Sequence, residues 1–343
     1  MFENKGLVIE SPGTLKMVNI PLRELETDEV LVRVRYVALC GSDIKLYLGS
    51  YVALHKYPIV IGHEWVGMVQ QVGSGVNTSW SIGDVVTGDC SIFCDCCSYC
   101  TTNKNHCITI EKKGITQDGG CSQYSIVKAK HIYKCPSLHD VKALALVEPL
   151  AVAVQAIINR ITTKELKRVK RALIIGSGGI GVMTMFSLLE LQIPDITIVD
   201  IQSEKLSLVS SFGYANVHTA VVDLAGDTSQ LGAGFDLIVE AAGSGVALRK
   251  AVELANPCGT IVCVGHQKNV ELDFGMVMKK SLSIITSIGS AGGFEQAIKI
   301  IEKNHENISK MVTRIVSIDT AEQYFKNELK SSATDLKVLI DLN

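Results

Sequence analysis

The sequence has almost no net charge: Lys+Arg of 33 against Asp+Glu of 35 leaves a formal −2. It therefore lacks the global basic field that draws a chain onto nucleic acid or an anionic membrane, and neither is expected as a partner. A secretory signal is also missing. Met1 to Glu10 holds two glutamates and has no basic start, apolar run or small-residue cleavage site, which points to the cytoplasm. There is no internal repeat and no low-complexity tract. One stretch, Ala172 to Leu189, is free of charge for long enough to suggest a membrane helix. Four glycines at nucleotide-loop spacing interrupt it, so it reads as a buried strand running into a helix.

What is present is a chain of 343 residues, 47% hydrophobic and 20% charged, with 29 glycines. That is ample apolar material for large cores, and the length favours two domains or one elaborated α/β unit. From Leu7 to about Lys134 short β-type runs are broken by glycine, at Glu29 to Val37, Glu64 to Val72, Asp84 to Thr87 and Gln123 to Val127. Their spacing predicts a barrel-like all-β domain. From about Arg171 to Thr286 strands alternate with helices, the strands falling at Ala172 to Ile175, Ile196 to Val199, Leu237 to Glu240, Thr260 to Val264 and Leu282 to Thr286. Such alternation predicts a doubly wound parallel sheet. Val141 to Ile158 reads as one helix joining the halves. After Gly292 an amphipathic helix, Phe294 to Lys303, precedes strands at Val312 to Val316 and Lys337 to Leu342, which are expected to return to the first domain.

Cysteine is the unusual component, with 11 residues, five of them between Cys94 and Cys107. In a reducing compartment such clustering points to metal before disulfides. Cys94, Cys97, Cys100 and Cys107 supply four thiolates on one loop, enough to close a tetrahedral zinc site with no open position. Cys96 points off the shared face of a tight Cys-x-x-Cys turn and is given no ligand role.

The run Gly176-Ser-Gly178-Gly179-Ile180-Gly181 follows one predicted strand and opens a helix. There Gly176 makes the tight turn, Gly178 admits a pyrophosphate to the backbone, Gly181 allows close helix packing, and the helix N-terminus supplies amide hydrogens and positive dipole. Asp200 ends the next strand, where a carboxylate accepts bonds from ribose hydroxyls and repels a 2′-phosphate, so NAD is expected over NADP. Cys40-Gly-Ser42-Asp43 follows a strand and Gly62-His63-Glu64 opens another. Cys, His and carboxylate form a mixed zinc-ligand set, and three protein ligands leave a fourth position for a substrate oxygen.

Taken together, Cys40-Gly-Ser42-Asp43, Gly62-His63-Glu64, the four-cysteine lobe, Asp118-Gly119-Gly120, Glu148-Pro149-Leu150, the glycine loop and Asp200 resemble the zinc-dependent medium-chain alcohol/polyol dehydrogenases, in the sorbitol-dehydrogenase-like branch. Shorter segments, His63-Glu64-Trp65, Asp118-Gly119-Gly120-Cys121 and Ser287 to Gly293, are similar to dehydrogenases of aminocyclitols such as 2-deoxy-scyllo-inosamine. The resemblance implies a GroES-like catalytic domain over 1–155 and 290–343 and a Rossmann domain over 156–289. It also implies two zinc ions per chain, the catalytic one on Cys40, His63 and Glu64, with Glu148 holding the zinc-bound water or entering the coordination shell. Ser42 would start a proton relay, with Lys45 as a next station, and the chain would form a dimer or tetramer of identical copies. The implied reaction is hydride transfer between NAD and a secondary hydroxyl or ketone of a polyol, cyclitol or sugar-derived substrate. Two other readings are a sugar-phosphate dehydrogenase, with Lys45, Lys56 or Lys279-Lys280 on the phosphate, and a non-catalytic NAD- or zinc-binding protein. Three features depart from the common pattern: Cys100 to Cys107 is one residue short, Lys45 stands where many relatives have His, and Gln155 where His is frequent.

Overall fold

The computed structural model describes residues 3–77, 79–232, 234–266, 269–329 and 335–343. The chain divides into two compact units, Met1–Glu148 with Ser290–Asn343, and Pro149–Gly289. The first seam thus falls at 148 and not at the expected 155, because Glu148 belongs with the strands and loops of the first unit.

In the first unit a seven-stranded sheet runs, edge to edge, through Ile132–Lys134, Val85–Gly88, Glu64–Val72, Glu29–Ala38, Lys337–Asp341 and Val312–Ser317, with Tyr124–Lys128 also pairing to Glu29–Ala38. Val30, Val32 and Val34 alternate inward and are at most 1% exposed. Each such burial contributes about 1.5–3 kcal/mol. A register shift between Val34 and Tyr36 then turns Val37 into the core, as an extra residue in one strand must. Lys5–Ser11 and Thr14–Asn19 form a hairpin joined by Ile59–Val60.

The second unit is a six-stranded, all-parallel sheet in the order Val217–Val221, Asp195–Asp200, Arg171–Ile175, Phe235–Glu240, Ala255–Cys263, Ser283–Thr286. This is the doubly wound arrangement that the alternation predicts, plus one strand, Val217–Val221, that it misses. That strand is short and half-exposed, and His218 interrupts its apolar run.

The segment expected as one helix over Val141 to Ile158 is a 3₁₀ stretch, Lys142–Leu146, leading into an α-helix, Val147–Ile157. Pro149 lies in the first α-helical turn, where its missing N–H costs nothing. The helix expected at Phe294 to Lys303 continues to Ser309, past a break in helical geometry at Asn304. None of the described helices is long and apolar enough to cross a membrane.

Candidate active site

Sheet register assembles the first centre. Ala38 pairs with Glu64 on one side and with Leu339 on the other. Cys40, two residues past one strand, His63 and Glu64, at the start of the second, and Lys337, at the start of the third, therefore gather at one end of the sheet. One ligand atom from each of Cys40, His63 and Glu64 lies within 4.8 Å of the others. A tetrahedral zinc ion with bonds of about 2.0–2.3 Å needs its ligands within about 4 Å of one another, so the donor set fits zinc by type and needs only a small inward adjustment in spacing.

Asp43 ties the two ligand segments together. Fully buried, it accepts from the Cys40 amide through Oδ2 at 2.9 Å and from the Gly62 amide through Oδ1 at 3.3 Å. Its Oδ1 also stands 3.7 Å from His63 Nδ1, which has no hydrogen-bond partner among the described residues. Burial works against a charged His63 ring, but Asp43, Cys40 and Glu148 outweigh it and raise its proton affinity well above the usual range. A metal entering here displaces that proton. On the other side of the ring, Ser42 Oγ lies 3.4 Å from Nε2. Lys45 is exposed on the same short helix, Gly41–Tyr47.

Glu148 is buried near this trio yet outside it, since the ligand group comprises Cys40, His63 and Glu64 alone. Its Oε1 accepts from the Cys90 thiol at 3.3 Å, and Cys90 Sγ lies 3.6 Å from Ser290 Oγ. Burial first, then the charge of Glu148, push the Cys90 thiol far above its usual range, so it is a protonated donor. Lys337 Nζ bonds Glu64 Oε2 at 2.5 Å. Burial disfavours the ammonium, but the charges of Glu64, Cys40 and Glu148 more than restore it and keep Lys337 protonated. Tyr51, half-buried, has its phenol pushed up by burial and by Cys40 and Cys90, which places it in the same electrostatic neighbourhood. Sequence reasoning missed Lys337, Cys90, Tyr51 and Ser290, and it quoted Asp43 without a role. The one local signal was a lysine opening the apolar strand Lys337–Asp341.

The four-cysteine lobe converges despite its shortened last gap. Cys94, Cys97, Cys100 and Cys107 lie within 4.8 Å of one another, with Cys96 outside the group. Asn105 pins the loop by accepting from the Ala291 amide and donating to its carbonyl, both at 3.1 Å. The amide hydrogens of Cys96 and Cys97 pull the Cys94 thiol down to about 5, a thiolate ready for a metal.

In the second unit the glycine loop has the geometry its sequence predicts. Gly176 has φ +102°, and a side chain at Gly181 would lie 1.8 Å from the Gly176 carbonyl oxygen. Gly178, by contrast, faces open space. It caps the helix Gly179–Glu190, which opens with Gly179 and Ile180. A cleft of about 500 Å³ is lined here by Gly176, Gly178, Asp200, Gln202, Lys205 and Ser244, among others. Asp200 Oδ2 accepts from the amide and hydroxyl of Ser177 at 2.7 and 2.9 Å, and Oδ1 from the Gln202 amide at 3.0 Å. Burial opposes its charge, but these bonds prevail and hold the carboxyl below its usual range. Lys280, one of the phosphate candidates, is otherwise engaged. Its ammonium donates to the carbonyls of Val252, Glu253 and Ala255 around the end of the helix Gly245–Leu254, which leaves it poorly placed for a phosphate.

Residues 26–137 match the alcohol dehydrogenase GroES-like domain and residues 142–342 the glucose dehydrogenase C-terminus. Galactitol 1-phosphate 5-dehydrogenase of Escherichia coli K12 is 30% identical over 293 residues, covering 82% of each chain. Among solved structures, a zinc-binding dehydrogenase of Sinorhizobium meliloti 1021 bound to NADP superposes with a TM-score of 0.88 at 26% identity, over 99% of this chain and 100% of that one. The alcohol dehydrogenase rspB of E. coli CFT073, complexed with NADH, gives 0.87 at 27% identity over 99% and 100%.

Proposed function

Because this chain belongs to the zinc-dependent medium-chain alcohol/polyol dehydrogenases, we propose that it oxidises, reversibly, a secondary hydroxyl of a polyol, cyclitol or sugar-derived substrate to the ketone, with NAD as acceptor. The observation that carries this reading is the convergence of Cys40, His63 and Glu64 at one sheet end with Ser42 Oγ 3.4 Å from the His63 ring. When bound, zinc supplies Lewis acidity and the nicotinamide supplies the hydride-accepting ring. Cys40, His63 and Glu64 hold the catalytic ion, and the four-cysteine lobe holds a second, structural one. Ser42 Oγ takes the proton leaving the substrate hydroxyl while its own proton passes to solvent, on the short helix that also carries Lys45. Glu148 stands close by as the carboxylate that orders water or exchanges into the shell. The neutral hydroxyls of Ser42 and Tyr51 suit a substrate bearing several hydroxyl groups.

Gly176, Gly178, Gly179, Ile180 and Gly181 cradle the pyrophosphate, and Asp200 receives the ribose hydroxyls. A reducing cytoplasm fits a chain whose cysteines form no disulfide among the described residues. Association of identical copies is supported by the edge strand Ser283–Thr286, where Phe274, Met278 and Ile288 nearby are 66%, 69% and 61% exposed.

The experiment is a screen of polyols, cyclitols and their phosphates with NAD and zinc-loaded protein, read at the reduced-nicotinamide absorbance. NAD reduction with an unphosphorylated polyol or cyclitol is expected. Activity confined to phosphorylated substrates would transfer the assignment to the sugar-phosphate reading. No activity with any secondary alcohol, in either direction, would remove the function.

A further inference from the structure

Glu148 is buried beside the metal trio, where its charge is felt by His63 and Glu64, and what restrains it is a thiol. Among the described residues, the Cys90 thiol is the only hydrogen-bond donor to the Glu148 side chain, at 3.3 Å. Cys90 sits on the turn between the strands Val85–Gly88 and Ser91–Ile92. Ser290, fully buried where the chain re-enters the first unit, backs the sulfur at 3.6 Å. The carboxylate is thus anchored on the side of Cys90 and Ser290 and stands outside the ligand group of Cys40, His63 and Glu64.

A thiol is a weak donor, so it can hold a carboxylate in one position without holding it permanently. A carboxylate freed from that bond in a buried site has an unsatisfied charge and a strong incentive to bind a nearby cation. We propose that Cys90, backed by Ser290, is a positioning residue that keeps Glu148 out of the zinc coordination shell, and that its hydrogen bond sets how readily the carboxylate enters as a fourth protein ligand. The inference rests on the metal reading given above.

Three consequences distinguish it from a packing role. In Cys90→Ala the Glu148 carboxylate binds the metal, so zinc leaves the catalytic site to a chelator about tenfold more slowly, within the range by which groups behind the ligands tune metal sites. In the same variant kcat falls, because the position needed by substrate is filled. Cys90→Ser, which retains a donor, restores both towards wild type.

The experiment compares wild type, Cys90→Ala, Cys90→Ser and Cys90→Ala/Glu148→Gln. Zinc is kept in the four-cysteine lobe and cobalt(II) placed in the catalytic site. The readouts are the visible cobalt spectrum, metal release to a chelator, and melting temperature as the control for folding. A cobalt spectrum changed in Cys90→Ala, near wild type in Cys90→Ser and insensitive to Cys90 once Glu148 is Gln is the expected result. Unchanged spectra and release rates in a folded Cys90→Ala protein would overturn the inference and leave the metal site standing. If Cys90→Ala fails to fold, Ser290→Ala must show the same spectral change in smaller degree, and its absence there overturns the inference equally. Failure of wild type to bind cobalt at the catalytic site would overturn the metal reading itself, and the inference with it.

Discussion

Lys337 Nζ stands 2.5 Å from Glu64 Oε2, the two side chains 8% and 1% exposed. Breaking a buried pair by removing one partner leaves an uncompensated charge and costs about 3–5 kcal/mol. Lys337→Met should therefore destabilise the metal-free protein by that amount. A zinc ion beside Glu64 supplies the missing positive charge, so the zinc-loaded variant should lose much less. Melting curves with and without zinc check this, and equal losses in both states would separate Lys337 from the metal site.

The closed lobe should behave differently from the open trio. Protein purified without chelator is expected to carry about two zinc ions per chain, one for each ligand group. Cys97→Ser should release one of them and lower stability, because a structural site contributes its binding energy to folding. Turnover per folded, catalytic-zinc-containing molecule should change little. Metal analysis, thermal unfolding and active-site titration decide it.

Asp200 is already held by Ser177 and Gln202 before any cofactor arrives, so its charge is in place to repel a 2′-phosphate. Wild type should use NAD at far higher kcat/KM than NADP. Asp200→Ser should narrow that gap by on the order of tenfold, the factor carried by about 1.4 kcal/mol. Equal use of both cofactors by wild type would contradict the role given to this carboxylate.

Two buried groups outside the ligand set give opposite pH responses. Burial, with a smaller contribution from Glu148, pushes Asp89 up from 3.8 to about 7 against the Ser91 amide and Lys112. Its folded form binds a proton that the unfolded chain has lost, so the stability it contributes is present at acid pH and is lost as pH rises through about 7. Burial first, then Lys130, takes His131 down from 6.5 to about 4, so its contribution is present above 6.5 and lost as pH falls towards 4. Relative to wild type, Asp89→Asn should gain stability from about pH 4 to 7 and then level off, by no more than about 4 kcal/mol at 1.36 kcal/mol per unit. His131→Phe should gain on the acid side instead. Denaturant unfolding across pH 4 to 8 reads both, and parallel curves for Asp89→Asn and wild type would refute the Asp89 assignment.

Legibility in the sequence followed chain distance. The glycine loop and the four cysteines are each contained in one short segment, so spacing alone constrains their geometry. The trio of Cys40, His63 and Glu64 was readable as two short motifs, and sheet register supplied the rest. Cys90 meets Glu148 across 58 residues and Ser290 across 200, distances at which no periodicity speaks. The strand Val217–Val221 escaped notice because a half-exposed strand containing a histidine lacks clean alternation. The opening of the Val141 to Ile158 segment was misread because apolar spacing alone does not separate a 3₁₀ turn from an α-helix.

The Lys337 to Glu64 contact closes a loop of 273 residues, and the strand that carries Lys337 is also the one that completes the pairing beside Glu29–Ala38. In a chain made from its N-terminus, the parallel sheet of Pro149–Gly289 is contiguous and can fold while synthesis continues. The end of the first sheet that carries Cys40, His63 and Glu64 cannot. Until residues 337–341 have been made, Glu64 has no ammonium beside it and the strand edge that receives them stays open. The contiguous parallel sheet is therefore expected to form first, and this end of the first sheet to close last. The interval between them is when the exposed edge is most vulnerable to mispairing with another nascent chain.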